Sequence, residues 1–404
     1  MTSMALVPSS FSRQLHAMLG IYAVLFLLGL ETTLGGSVLP QAARALDGFD
    51  NFSWLGTCQM LAAASATPIT ARLGDMWRRK WLVLISVILL CVAGCLAAAA
   101  PSMEALLVSR VINGISIGMM AGSAFAVPVD VFSDPARRVR WQSVSGVMFA
   151  LASSAGPMLG AWLSELFVWR IALLLLPLTS LPVLVLLALM PDFQGKNKAL
   201  QRFDGLGAVL MTIFIITSLY GLQTIGKRYD SWFFLVLAGL CLYFLGGHQK
   251  RTPQPILALE VLRNTQVWVI TLSTLLTGLI LGVQIFYSPL LLITLMGISY
   301  QEAGLSMLPL LLGMPLGSMI NGYLFRKLRK PHCLFWLGAF LLAAGSFILV
   351  AVPWGLPITA VWLAYGLCGI GLGVSNQIQG VFIQLVTPRE FAGAATGLVS
   401  TARN

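Results

Sequence analysis

The chain has 404 residues, of which 58% are hydrophobic and only 10% are charged. Soluble domains carry about 25% charged residues, so this composition excludes an ordinary soluble domain. The net charge of +11 first suggests a nucleic-acid partner. The basic residues lie in short segments between apolar runs, however, where they are typical signals of membrane topology, and we expect no nucleic-acid binding.

Apolar segments of roughly 20 residues recur along the whole chain, as transmembrane helices do. This pattern predicts an all-α polytopic membrane protein whose first helix is retained rather than cleaved as a signal peptide. A further segment opens near residue 391. The twelve full spans are expected at 17–39, 53–72, 81–100, 104–131, 142–165, 168–190, 205–225, 231–247, 266–290, 302–324, 333–352 and 356–385.

The distribution of basic residues indicates the orientation of these spans. With the N-terminus in the cytoplasm, the inner segments hold nineteen Lys and Arg residues and the outer segments hold four. This bias follows the positive-inside rule. We therefore predict a multi-pass integral membrane protein with a cytoplasmic N-terminus.

The spans fall into two groups separated by a pair of helices. We predict an N-terminal six-helix bundle at 1–195, an inserted helix pair with its connectors at 196–262, and a C-terminal bundle at 263–404. The stretches 71–80 and 322–330 echo each other, since each ends an even-numbered helix in a basic cluster. Duplicated bundles around a midplane site are a common plan of transporters.

Glu31 lies inside the first apolar segment, in "LGLETTLGGSVLP". A carboxylate at that depth costs about 2.5–3.5 kcal/mol. Burial disfavours the charged form of a carboxyl group and raises its pKa, so that such a group can exchange protons near neutral pH. We therefore predict that Glu31 couples transport to protons; the alternative is a permanently protonated side chain or a static packing contact.

Arg110 is the basic residue that lies well inside the fourth span, and it belongs to the same outer half of the membrane as Glu31. The two side chains are expected to pair, with Asn113 one helical turn away extending the network. A conformational change that alters their separation would load and unload a proton. A fixed pair that only holds two helices together is the alternative.

The inner loop "ARLGDMWRRK" at 71–80 carries more charge than a topology signal needs. We predict a cytoplasmic gate that latches one conformation through a network of charged side chains. The alternative is a plain positively charged loop. The predicted gate residues are Asp75, Arg79, Lys80, Asp130 and Arg137.

Two further segments are candidates for transport. The segment 146–162 places Gly156 and Gly160 around Pro157, and small residues allow helices to approach closely while proline bends them. Asn376 and Gln379 share one face of the last full span and are predicted to line a substrate path. Ordinary helix packing is the alternative for both segments.

Enzymatic activity is not expected. "GISIG" at 114–118 matches the G-x-S-x-G pattern of hydrolases, but it lies within a predicted membrane helix rather than on the strand-to-helix turn which that motif needs. The sequence offers neither a metal site nor a cofactor motif. The expected energy source is a proton gradient.

These motifs together resemble the major facilitator superfamily, and specifically its 14-helix drug:proton antiporter branch. "LETTLGGSVLP" resembles the first-helix pattern of that branch, with Glu31 in the place of the usual Asp. "ARLGDMWRRK" resembles motif A, although Ala71 and Arg78 replace glycines. "RVINGISIG" resembles motif B, with Asn113 in place of Gln, and "AGPMLGAW" resembles the antiporter motif C, where Ser143 and Ala152 replace two glycines.

The resemblance implies a two-bundle fold of the major-facilitator type with an inserted helix pair at about 205–247. It implies proton-coupled efflux of amphipathic or cationic compounds by alternating access, with Glu31 and Arg110 coupling the proton. Asp75, Arg79 and Asp130 would form the inner latch, and Gly156 and Pro157 the antiporter hinge. The expected partners are the lipid bilayer and a small-molecule substrate, for a monomer in a bacterial inner membrane.

The family pattern continues for two helices where this chain stops within the first, so the C-terminal bundle is expected to be incomplete. Three hypotheses therefore stay open at this point. The first is a proton-coupled exporter, the second is a facilitator or importer without proton coupling, and the third is a truncated fragment that does not transport.

Overall fold

Apolar stretches of this length must satisfy their backbone hydrogen bonds internally, and the regular secondary structure in the described part of the chain is entirely helical. The computed structural model describes residues 11–132, 134–191, 204–225, 230–252, 264–286, 288–298, 302, 305–388 and 392–403.

The first six-helix bundle is formed by α1 to α7, in which a proline at the start of the short α5 separates it from α4. Helices α1 and α6 pack together along their length, as do α2 and α4, while α3 packs against α4 and α7. The elements are α1 (Phe11–Ala45), α2 (Phe52–Met76), α3 (Arg79–Ala98), α4 (Met103–Ala124), α5 (Val127–Val131), α6 (Pro135–Leu166) and α7 (Trp169–Leu189).

The helix pair α8 (Gly205–Thr224) and α9 (Ser231–Arg251) forms a hairpin beside this bundle. Asp204 caps α8, because its carboxylate accepts a hydrogen bond from the backbone N–H of Gly207 at 2.8 Å. His248 on α9 lies 2.8 Å from the same carboxylate and ties the two helices together. The hairpin docks on α2 through α8.

The second bundle repeats the packing of the first. Helices α12 and α14 pack along each other as α2 and α4 do, and α13 packs on α14 as α3 does on α4. The stretches 71–80 and 322–330, which echo each other in sequence, thus begin near the ends of two equivalent helices. The elements are α10 (Thr265–Phe286), α11 (Ser288–Met296), α12 (Leu308–Lys327), α13 (Cys333–Val350), α14 (Ile358–Val386) and α15 (Ala392–Arg403).

Among the described residues, ten helical segments are long and apolar enough to cross a membrane. This set does not include α2 and α6, which the sequence also predicts as spans.

Large apolar side chains cover the outer surface, with Tyr243 and Phe347 more than three-quarters exposed, as expected for a surface that faces lipid. The protein is an all-α, multi-pass integral membrane protein. The predicted domain boundaries at 195 and 262 lie outside the described residues.

The two bundles meet along α6 and α12, and along α2 and α15. At the first contact, a Cβ placed on Gly146 would lie 3.0 Å from the side-chain oxygens of both Ser318 and Gln377. At the second, a Cβ on Gly397 would lie 2.4 Å from the Cβ of Ala71. The bundles are therefore in direct contact at two levels, near the middle of α6 and α12 and near the end of α2. The end of the molecule that carries 71–80 and 322–330 is called the basic end.

Candidate functional site

Glu31 and Arg110 form a buried ion pair between α1 and α4. The guanidinium nitrogen Nη1 of Arg110 donates to Glu31 Oε1 at 3.3 Å, and each side chain is only 1% exposed. Two charges are costly to bury even when they face each other. The contact shows that the structure brings together the two residues that the sequence singled out.

Gln59 on α2 is a third member of this cluster, and the sequence analysis missed it. Its side-chain amide donates to the same Glu31 Oε1 at 3.4 Å. The second carboxylate oxygen, Oε2, has no hydrogen-bond partner among the described residues. A polar residue within the second apolar segment was the available signal, but the sequence does not show which way that helix is rotated.

Asn113 is fully buried one turn along α4 from Arg110, and its side chain faces Glu31. Neither of its amide atoms makes a hydrogen bond of normal geometry within the described structure. The Nε and Nη2 atoms of Arg110 likewise have no hydrogen-bond partner among the described residues. Because buried polar groups are almost always hydrogen-bonded, these atoms leave the cluster with unused hydrogen-bonding capacity, and its carboxylate is the group that can take up a proton.

Close helix packing sets the position of Glu31. A Cβ on Gly29 would lie 2.3 Å from the backbone oxygen of Phe149 on α6, and a Cβ on Gly156 would lie 2.1 Å from the hydroxyl of Thr33. Gly156 also faces the backbone of Leu30, directly before Glu31. The glycine of the motif C-like segment thus allows α6 to touch α1 on either side of the buried acid.

The other two members of that segment are less informative. Gly160 is buried on α6. Pro157 lies within the continuous helix α6, and its side chain lies outside what the structure describes. Of the three residues predicted as the antiporter motif, Gly156 is therefore the one whose contact with the acid-bearing helix the structure describes.

A second buried charge cluster lies at the basic end. Arg79 contacts Asp75 on α2 at 2.5 Å and Asp130 on α5 at 2.6 Å, and it also donates to the carbonyl of Ala126 at 3.2 Å. Gly74 leaves room for this guanidinium, since a Cβ there would lie 3.0 Å from Arg79 Nε. We call Asp75, Arg79 and Asp130 the latch cluster.

The backbone between α2 and α3 tolerates the residue that replaces a glycine in the family pattern. Arg78 has φ −70° and ψ 111°, which is extended backbone that any L-residue adopts. The loop therefore reaches Arg79 without a left-handed residue at this position.

The remaining predicted gate residues lie apart from the latch cluster. Lys80 donates hydrogen bonds to the backbone oxygen of Ala188, at 2.9 Å, and to that of Met190. Lys80 therefore caps the C-terminal end of α7. Arg137 is exposed and lies 4.0 Å from Asp134, within its own helix turn. Its neighbour Arg138, which the sequence analysis did not select, is the buried one and donates to the Phe132 carbonyl at 3.3 Å.

The predicted substrate-path residues lie on α14. Gln379 is buried and hydrogen-bonds Ser273 at 3.3 Å and Thr277 at 3.4 Å, both on α10. Asn376 is half-buried, and its side-chain oxygen has no partner among the described residues. Gln379 thus joins two helices of the second bundle, whereas Asn376 keeps an open acceptor.

Ser116, the central residue of the hydrolase-like pattern, lies within α4 and donates to the carbonyl of Ser86 at 2.7 Å. The flanking glycines are packing positions: a Cβ on Gly114 would lie 2.3 Å from the Gln59 carbonyl, and one on Gly118 would lie 2.4 Å from that of Ala63. The arrangement has no nucleophile elbow, and the pattern is a helix contact.

Comparison with known proteins identifies this architecture. The model of the Major Facilitator Superfamily matches residues 21–404. The chain belongs to the Major Facilitator Superfamily. It is therefore a transporter of that superfamily and not an enzyme, with the two-bundle fold expected from its motifs.

Two relatives support this assignment, and one solved structure has a similar fold. The chain is 25% identical over 388 residues to the multidrug transporter protein MdtP of Bacillus subtilis, covering 93% of this chain and 70% of that protein. It is also 25% identical over 397 residues to multidrug resistance protein 3 of Bacillus subtilis, covering 96% and 76% respectively. The proton:xylose symporter XylE has a similar fold, with a TM-score of 0.69 at 14% identity, covering 98% of this chain and 86% of that one.

Proposed function

We propose that this protein is a proton-coupled exporter of amphipathic or cationic small molecules that works by alternating access. The observation that carries the proposal is the buried Glu31, held at 1% side-chain exposure against Arg110 within a membrane-spanning bundle. Intramembrane acids of this kind mark proton relays and substrate paths by default. The two Bacillus relatives, which are named for multidrug transport, support the substrate class.

In the proposed cycle, Glu31 takes up a proton when it separates from Arg110 and releases it when the pair re-forms. A carboxylate next to a guanidinium favours the charged form, and a buried carboxyl group without that partner favours the protonated form. The proton gradient then supplies the energy, with no cofactor. Asn113 offers unsatisfied polar atoms that can share the proton.

The latch cluster is proposed to hold the basic end closed in this conformation. Its three members come from α2, α3 and α5, so that a movement of one helix breaks it. Lys80 and Arg137 lie outside this cluster and are assigned to helix capping and to the charged surface. Gly156 with Pro157 and Gly160 is proposed as the antiporter segment, and Asn376 and Gln379 as part of the substrate path.

The proposal also assigns the membrane context. The basic end faces the cytoplasm by the positive-inside rule, and the N-terminus lies on the same side. The helix pair α8–α9 is proposed as the insert of the 14-helix drug:proton antiporter branch. We propose that the protein acts as a monomer in a bacterial inner membrane, with the lipid bilayer and a small-molecule substrate as its partners.

The test is the flux of ethidium, a fluorescent cation, in proteoliposomes with an imposed pH gradient. We expect accumulation that stops when a protonophore collapses the gradient. A flux that is unaffected by the protonophore would instead identify a facilitator or importer without proton coupling. Liposomes without protein serve as the control for passive leakage.

A further inference from the structure

We infer that Gln59 is a positioning residue of the proton site, which holds the carboxylate of Glu31 from a second helix. Its amide donates to Oε1 at 3.4 Å, and Arg110 donates to the same oxygen at 3.3 Å. This inference rests on the proposed proton coupling and extends it. The ionised carboxylate thus has two donors, one charged and one neutral.

Both donors belong to one tightly joined helix pair. Helix α4 packs along α2, and a Cβ on Gly114 would lie 2.3 Å from the backbone oxygen of Gln59 itself. Gly118 and Gly122 repeat this contact against the carbonyls of Ala63 and Thr67, each at 2.4 Å. Such backbone contacts prevent α2 and α4 from sliding independently, so Gln59 and Arg110 move together.

Glu31 belongs to the other tightly joined pair. Helix α1 packs mainly against α6 and α7, and Gly29 and Gly156 join the backbones of α1 and α6 on either side of the acid. The seam between the pairs α1–α6 and α2–α4 therefore runs between the carboxylate and both of its donors. A small displacement along this seam weakens two hydrogen bonds to Glu31 at the same time.

Gln59 and Arg110 are the donors that reach the Glu31 carboxylate, and Asn113 on α4 faces it without a hydrogen bond of normal geometry. Arg110 from α4 is the charged residue facing it among the described side chains, and α2 contributes Gln59. The apolar residues from α6 and α7 that pack with this part of α1 are Ala152, Leu173 and Leu176. Removing the Gln59 donor should therefore make the ionised form of Glu31 less favourable without adding or removing a charge.

The experiment measures the protonation of Glu31 directly. The purified full chain in lipid nanodiscs is titrated while the infrared band of protonated carboxyl groups is recorded, and subtracting the titration of Glu31→Gln isolates the contribution of Glu31. For Gln59→Met, which keeps the side chain's length but loses the donor, we expect the midpoint to move to higher pH by about one unit. The shorter side chain of Gln59→Asn cannot reach Glu31, so this variant should also move the midpoint to higher pH. Because it keeps a polar amide, it is the variant less prone to misfold.

The matched control is Gln284→Met, the same exchange at a buried glutamine on α10, which should leave the Glu31 midpoint unchanged. An unchanged midpoint in both Gln59 variants would overturn the inference. Ethidium flux in the same preparations separates this result from the proposed function. A shifted midpoint supports the role of Gln59 even if the wild type shows no gradient-driven flux, and that second result would contradict proton-coupled export alone.

Discussion

At the scale of single residues, Arg79 is the central side chain of the latch cluster. It contacts Asp75, Asp130 and the carbonyl of Ala126, and it is itself only 3% exposed. Removing one partner of a buried ion pair leaves an uncompensated charge, which typically costs about 3–5 kcal/mol. The side chain of Asp130 is 22% exposed, so water offsets part of that cost.

We predict that Arg79→Ala lowers the free energy of unfolding by about 3 kcal/mol. The adjacent Arg78→Ala is the control, because its side chain is exposed and surface substitutions usually change stability by less than about 0.5 kcal/mol. Thermal unfolding in detergent measures both variants. Equal loss of stability in the two would show that the latch cluster does not stabilise this conformation.

Residue-scale prediction from the sequence succeeds where one residue type is out of place. An acid and a base in apolar helices stand out, and the structure places Glu31 and Arg110 in contact. Gln59 and Arg138 do not stand out, since a polar residue in an apolar helix or one arginine among three is recognised only when the rotation of its helix is known. That rotation is set by contacts such as the one between Gly114 and the Gln59 carbonyl.

At the scale of helices, both bundles are built on pairs joined through glycines. On α4, glycines at every fourth position face the backbone of α2. In the second bundle, Gly317 on α12 and Gly373 on α14 make equivalent contacts, each within 2.2 Å of a backbone oxygen if a Cβ is added. Small residues at such spacing replace the hydrophobic driving force that lipid does not supply.

Gly118→Ala should force α2 and α4 apart, because its added Cβ would lie 2.4 Å from the Ala63 carbonyl and 2.8 Å from the Ala66 Cβ. We predict a destabilisation of about 1–3 kcal/mol, the usual cost of overpacking. Gly56→Ala on α2 is the matched control, since nothing lies within 4 Å of its added Cβ. If Gly118→Ala melts at the same temperature as the wild type and Gly56→Ala, then α2 and α4 do not pack as closely as these distances indicate.

The positions of the helices follow from the apolar segments, but their ends do not. The segment predicted at 104–131 is divided into α4 and α5 ahead of Pro128, which lacks the N–H that would continue the helix. The first helix extends well beyond 17–39 to Phe11–Ala45. Hydropathy measures the length in lipid, whereas helices continue into water wherever capping and contacts allow.

At the scale of the whole molecule, the described contacts between the bundles close the basic end. Gly397 on α15 lies against Ala71 on α2. Gln384 on α14 bridges to the Phe125 carbonyl at 3.5 Å and to Thr396 at 3.3 Å. Alternating access requires these contacts to open. No apolar pattern in the sequence could predict the two contacts between the bundles, Gly397 with Ala71 and Gln384 with Phe125, because each joins residues more than 250 positions apart.

Locking this closure should stop transport. In a background without the six native cysteines, we predict that Ala71→Cys with Gly397→Cys forms a disulfide on mild oxidation. A Cβ at 397 would lie 2.4 Å from that of Ala71, so the two helices must part by about 1 Å to reach the Cβ–Cβ distance of about 3.5–4.5 Å that a disulfide needs. Gly397→Cys alone controls for that displacement. Ethidium flux should fall at least tenfold and return on reduction. Ala71→Cys alone is the control. Unimpaired flux through the cross-linked protein would mean that the basic end does not open during transport.

The proposed cycle of the whole molecule depends on the proton carried by Glu31. The most direct measurement compares two ethidium fluxes in proteoliposomes, for the wild type and for Glu31→Gln. Glutamine has the size of a protonated glutamic acid but cannot release a proton. We therefore predict that the variant retains exchange of ethidium at equal pH but loses accumulation driven by a pH gradient. Gradient-driven accumulation by Glu31→Gln at the wild-type rate would contradict the assignment of Glu31 as the proton carrier.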